Sequence, residues 1–166
     1  MRKKSREFAE MDIESMACRI IEKYWELIVP VDVHEIARRM KITIVNDSSL
    51  SVSGEFSLEE KKRPLVKVNA SENPLRRRFA LAHELGHFVL NHGPEFRDPV
   101  SNFLENVRDR KEVEANRFAV ALLMPEPAVR FFVDKEKITS VDKLSKHFDV
   151  SSTSMIYRLQ NLGFFN

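Results

Sequence analysis

Arg78-Phe79-Ala80-Leu81-Ala82-His83-Glu84-Leu85-Gly86-His87 lies inside the run from Asn73 to Gly93, and the way that run folds decides the rest of the reading. Asn73 suits a helix N-cap, Pro74 its first turn and Gly93 its close, so a helix is expected over about 74–91. Leu75, Phe79, Ala82, Gly86 and Leu90 recur at helical spacing, and Leu81, Leu85, Phe88 and Val89 widen the apolar surface. Such a helix is mostly buried. His83 and His87 are then stacked one turn apart on the same face, with Glu84 one step around. Buried imidazoles and carboxylates need partners, because each left unpaired costs at least what a lost hydrogen bond costs. A metal ion resolves that conflict. H-E-x-x-H is the arrangement in which two imidazoles bind zinc and the glutamate serves as general base towards a water molecule.

A catalytic zinc takes three protein ligands, so a third must come from elsewhere. Lys111-Glu112-Val113-Glu114-Ala115-Asn116-Arg117-Phe118-Ala119 supplies it. This reads as a second helix over about 110–124, with Val113, Ala115, Phe118, Ala119, Leu122 and Leu123 as its apolar stripe and Pro125-Glu126-Pro127 ending it. Glu112 is the expected ligand, since Asn116 follows by one turn and its amide can hydrogen-bond a ligand's free atom. Glu114 is the fallback. A three-histidine version would need glycine at 90 and histidine at 93, where the chain has Leu90 and Gly93. His92 misses that place by one residue and reads as a polar group at the helix end, with a role beside a substrate open to it. Cys18 is the single cysteine, which excludes an internal disulfide and a cysteine-rich zinc site.

Arg78 to His87, then Glu112 to Ala119, then Leu122-Leu123-Met124-Pro125 resemble, in order and spacing, the ImmA/IrrE family of zinc metallopeptidases. The resemblance implies a gluzincin-like site: His83, His87 and a glutamate of the second helix hold zinc, and Glu84 is the catalyst. It further implies a protein substrate, such as a DNA-binding helix-turn-helix repressor of a mobile element or stress operon. The donor set alone also admits manganese or iron.

Composition fits an enzyme of the cytoplasm. With 166 residues, 43% hydrophobic and 31% charged, the chain suits one compact domain with a small appendage. We expect a peptidase domain over 1–130 and a helix-turn-helix-like tail over 131–166 packed on it. A net charge of +2 is too slight to argue for nucleic acid. The basic start, Met1 to Arg6, is followed by Glu7, Glu10, Asp12 and Glu14 rather than by the apolar core of a signal peptide. No stretch approaches the ~20 apolar residues of a spanning helix.

Before the central run, Phe8, Met11, Met16, Ile20, Tyr24, Leu27 and Ile28 form a helical stripe. Asp32, with Glu35 three residues on, reads as the cap of a short helix reaching about Met40, with His34 facing solvent. Ile42–Val45, Val52–Ser57 and Pro64–Asn69 read as strands, giving an α+β fold that is mostly helical with a small three-stranded mixed or antiparallel sheet beside the H-E-x-x-H helix. Ser53, Gly54, Glu55 and Phe56 are expected near a sheet edge on which an extended peptide could pair. Gly93 to Asp109 reads as a polar connection flanking the cleft, and Arg76-Arg77-Arg78 as a solvated face with salt bridges.

In the tail, Ser140 to Phe148 and Ser152 onward read as two helices, the second with Met155, Ile156, Leu159 and Leu162 inward and Gly163 at its end. Ser152, Thr153, Ser154, Tyr157 and Arg158 would face a DNA groove, but Lys143, Lys146 and Arg158 are a thin footprint for phosphates. A packing or partner-recognition role is favoured. The competing classes are a metal-dependent DNA- or protein-binding regulator and a toxin-like component of a two-gene module.

Overall fold

The computed structural model of the chain describes residues 13–25, 28–93 and 102–164, with backbone alone over 102–109. Phe8, Met11, Leu27 and the connection over 94–101 lie outside the described residues.

Helix α1 (Ile13–Tyr24) buries Ala17 and Ile21, with Met16, Ile20 and Tyr24 packed on the same core; Ile28, expected in this stripe, is exposed. Helix α2 (Val33–Arg39) starts where Asp32 Oδ1 accepts the Glu35 amide at 2.9 Å. The Glu35 carboxylate does not close a capping box. It accepts instead from Arg38 and Arg39, which hold its pKa down to about 2. His34 faces solvent as expected.

Three strands follow: β1 (Thr43–Asn46), β2 (Gly54–Leu58) and β3 (Pro64–Val68), in the order β1-β3-β2. The sheet is mixed, β1 running parallel and β2 antiparallel to β3. The most apolar strand is therefore central, with Leu65, Val66 and Val68 buried, and β2 is an edge. Lys61 and Lys62, both at positive φ, bend the β2–β3 connection within a single turn of 3₁₀ helix over Glu60–Lys62.

Helix α3 (Pro74–Val89) begins as expected, Asn73 Oδ1 accepting from the Arg76 amide at 3.0 Å. It ends sooner. Asn91 takes φ +55°, the amide of Asn91 bonds Phe88 O and that of His92 bonds His87 O. This is the left-handed close of a helix with asparagine in the usual glycine place, and Gly93 comes two residues too late to perform it.

Helix α4 (Asn102–Leu123) starts eight residues before the expected Arg110, replacing half of the expected connection. Its apolar stripe buries Ala115, Phe118, Ala119, Leu122 and Leu123, whereas Val113 is exposed. At the crossing with α3, a methyl group on Gly86 would lie 3.2 Å from Ala115 Cα, Ala115 O and the Phe118 ring. Glycine here lets the two backbones approach. Pro125 then caps the short α5 (Glu126–Arg130), which runs into a π-helical turn over Phe131–Lys135. No described helix is long and apolar enough to cross a membrane.

The tail forms α6 (Val141–Phe148) and α7 (Ser152–Asn161), capped by Ser140 and Ser151 and separated by Asp149 at φ +53°. Leu144, Phe148, Met155 and Leu159 belong to the same buried cluster as α3 and α4, but Ile156, expected inward, stands exposed. Arg78, expected on a solvated face, reaches the carbonyls of Phe148 and Asp149 and ties α3 to the end of α6. Arg158, one of the residues that a DNA-reading tail would have to present, is buried as well. Its guanidinium donates to Met124 O at 2.8 Å and pairs through two nitrogens with the Glu14 carboxylate of α1. Glu14→Ala strands that buried cation and should cost about 3 kcal/mol; urea unfolding that shows no loss would contradict the assignment.

Candidate metal centre

The α3–α4 crossing brings His83, His87 and Glu112 together. His83 Nε2 and His87 Nε2 are 3.0 Å apart, and the two carboxylate oxygens of Glu112 lie 3.1 Å from His83 Nε2 and 3.2 Å from His87 Nε2. Tetrahedral zinc, with bonds of about 2.0–2.1 Å, places its ligand atoms about 3.3 Å apart. The three donors therefore match in both type and spacing. Among the described residues this is the cluster of His, Cys, Asp and Glu donors able to hold a metal ion.

The other nitrogen of each histidine is held. His83 Nδ1 meets Asn116 Oδ1 at 2.9 Å, one turn beyond Glu112, as the sequence suggests. His87 Nδ1 meets His92 Nδ1 at 3.0 Å, and His92 Nε2 meets Glu114 Oε2 at 3.0 Å. Arg110 Nε donates to the remaining Glu114 oxygen at 2.8 Å. A consistent proton assignment runs from His87 Nδ1–H to His92 Nδ1 and from His92 Nε2–H to the carboxylate, leaving Nε2 of His87 free to ligate. Burial, opposed by Glu114, pushes the His92 pKa below its usual value, in keeping with that neutral form.

Glu114, the fallback ligand, thus belongs to the support of His87 and stands apart from the three-donor cluster. His92 was not recognised in this role from sequence. The signal was present in Asn91, whose left-handed turn folds His92 back over the helix end, as the His92 amide on His87 O shows.

Charge is concentrated here, with His83, His87 and Glu84 largely enclosed and Glu112 partly exposed. Hydrogen bonds from His83 and then His87 hold the Glu112 carboxyl well below the usual range. Burial pushes the His83 imidazolium towards neutrality, but Glu112 and Glu84 together outweigh it and raise its pKa. Glu84, 8% exposed, has its pKa raised by burial, an effect that His83 and His87 oppose.

These groups border a cavity of about 420 Å³ whose far wall is Val52, Ser53, Gly54, Glu55 and Phe56. Gly54 faces Glu84 so closely that an added Cβ would lie 2.9 Å from its Cγ and Oε1. The strand thereby sets where the carboxylate can sit. Tyr157 lines a different hollow.

Fold and donor set together define a metallopeptidase-type α+β domain, in which one helix carries two histidines and a second carries the glutamate. A profile of the peptidase M78 family, described as the IrrE N-terminal-like domain, matches residues 37–160, and the chain belongs to this ImmA/IrrE family. It is 31% identical over 99 residues to the radiation response metalloprotease IrrE of Deinococcus radiodurans, covering 57% of this chain and 30% of that protein. It is 26% identical over 135 residues to the metallopeptidase ImmA of Bacillus subtilis, covering 81% and 79%. An uncharacterized immunity region protein 2 of Bacillus phage phi105 is 30% identical over 126 residues, covering 75% of each. The chain thus spans under a third of IrrE and about four fifths of ImmA. A Mycobacterium tuberculosis transcriptional regulator shares the fold, with TM-score 0.63 and 19% identity over 89% of this chain and 46% of that one.

Two substitutions probe the supporting groups. His92→Ala should weaken metal affinity about 10- to 100-fold in a chelator competition, and unchanged affinity would remove His92 from the centre. Gly54→Ala should keep the metal but slow peptide cleavage about 10- to 100-fold by displacing Glu84, which metal content and kcat measured together would reveal.

Proposed function

We propose that the chain is a zinc-dependent endopeptidase in which His83, His87 and Glu112 hold the ion and Glu84 is the catalytic residue. The observation that carries this reading is the triangle of two Nε2 atoms and a carboxylate, with edges of 3.0–3.2 Å, bordering the cavity that Glu84 also lines. Bound there, zinc supplies a water molecule of pKa about 7 and a Lewis acid for the scissile carbonyl. Glu84 accepts the proton of the attacking water and returns it to the leaving amine as the C–N bond breaks. Burial raises the pKa of the Glu84 carboxyl, against the pull of His83 and His87, which makes its carboxylate a stronger base towards that water. His92 and Asn116 keep the two imidazoles aimed while Glu84 works.

An extended substrate has a place to pair. Asn69 N donates to Ser53 O and Glu59 N to Arg63 O, so the odd-numbered residues of β2 form the hydrogen-bonded pairs with β3. The amide and carbonyl of Gly54 and Phe56 therefore point away from β3, at the open edge. Glu55 bonds inward, so its backbone serves the sheet and not a substrate.

The substrate proposed is a specific partner protein, such as a helix-turn-helix repressor of a mobile element or stress operon. This rests on the family resemblance and on relatives named for an immunity region and a radiation response. Direct DNA binding by the tail is disfavoured further by the burial of Arg158.

Mixing the zinc-loaded protein with the product of the neighbouring regulatory gene should yield fragments. Glu84→Gln should lower turnover at least about 100-fold and keep the metal, whereas His83→Ala should lose both. Fragments that persist undiminished with Glu84→Gln would refute the reading.

A further inference from the structure

Beside the metal cavity lies a second hollow of about 650 Å³, between the first turns of α3, the outer face of α4 and the start of α7. Leu75, Val113 and Tyr157 form much of its wall and are 36%, 54% and 41% exposed. Among the described residues, Arg76 alone brings a formal charge to the lining. Large apolar groups gathered at a surface in this way mark a binding site more often than chance exposure does.

Continuity says what covers it. Arg76, Phe79 and Asn116 line both hollows, so a chain drawn across His83 and His87 runs onto this wall without leaving the protein. Asn116 is the hinge of the two, since its amide also holds His83 Nδ1.

The geometry points to this groove as a specificity subsite, filled by a large aliphatic or aromatic side chain of the polypeptide being cut; the assignment rests on the peptidase reading above. Its register follows from helix dimensions. Phe79 and Leu75 precede His83 by one and two turns, about 6 and 12 Å along the axis at 1.5 Å per residue. An extended peptide advances about 3.3 Å per residue, so the occupant stands about two to four residues from the scissile bond.

The test is digestion of a proteome-derived peptide library by the zinc-loaded protein, with cleavage positions read by mass spectrometry. Leu, Ile, Met or Phe should be enriched about tenfold over Ser and Asp at one position in that window, the scale on which apolar pockets discriminate. Val113→Glu on α4 and Tyr157→Ser on α7 should each reduce that ratio to about twofold or less while metal content stays at the wild-type value. Both side chains are half exposed, so neither change reaches the core. Cleavage without such a preference, or with a preference that survives both substitutions, overturns the groove and leaves the peptidase standing. Absence of any metal-dependent cleavage takes away both. A sedimentation mass of two chains that falls to one with Val113→Glu assigns the face to a second copy and likewise overturns the proposal.

Discussion

The close crossing of α3 and α4 at Gly86 and Ala115 is the constraint on which the site depends. Glu112 sits three residues before Ala115, and His83 and His87 flank Gly86, so the backbone separation at this point sets the reach of the carboxylate to both imidazoles. With a hydrogen in place of a methyl at 86, the carboxylate spans His83 and His87 at 3.1 and 3.2 Å. A side chain there would meet the backbone of Ala115 and the Phe118 ring, which cannot swing aside as a flexible side chain would. The apolar core therefore governs the polar centre: Leu85, Phe118 and Leu122 lock the helices, and the donors inherit their spacing from that lock.

Placing imidazoles in such a core creates an obligation that the fold discharges in two different ways. His83 is satisfied within the helix pair, by Asn116 of α4. His87 is satisfied through a turn, because the left-handed Asn91 returns His92 to it and His92 passes the demand to Glu114 and Arg110 near the start of the described side chains of α4. The second route ends in a partly exposed ion pair, Arg110 being 69% and Glu114 25% exposed. His87 is thus linked to solvent by a chain of polar contacts, while Glu84, on the neighbouring face, is enclosed by β2. That difference gives the imidazole of His87 and the carboxylate of Glu84 distinct environments.

Much of this was legible because it follows from periodicity and short-range chemistry. Asn73, followed by Pro74, and Asp32 cap helices through contacts with residues three positions away, and local contacts are what a sequence displays. Glu112 and Asn116 were legible as a pair one turn apart. What escaped reading was decided at long range. Arg158 looks like a surface cation until Glu14, 144 residues earlier, is brought against it. Ile156 fits the apolar stripe of α7, yet α7 turns Met155 and Leu159 inward and leaves Ile156 out. The early start of α4 escaped because Phe103, Leu104 and Val107, although at helical spacing, stand among polar residues and read as part of the connection; their helix propensity is adequate once the following turns are anchored by packing.

The buried Arg158 also shows what the last two helices do for the fold. A recognition helix needs its cations outward, whereas α7 spends its one arginine on Met124 O and Glu14, fastening itself to the end of α4 and to α1. Arg78 fastens α6 from the α3 side through the carbonyls of Phe148 and Asp149. Held at both ends, the helix pair presents the start of α7 beside α3 and α4, and the exposed side of that junction is apolar rather than basic. A surface of that character, adjoining the metal cavity through Phe79 and Asn116, is suited to a polypeptide's side chains and poorly suited to phosphates.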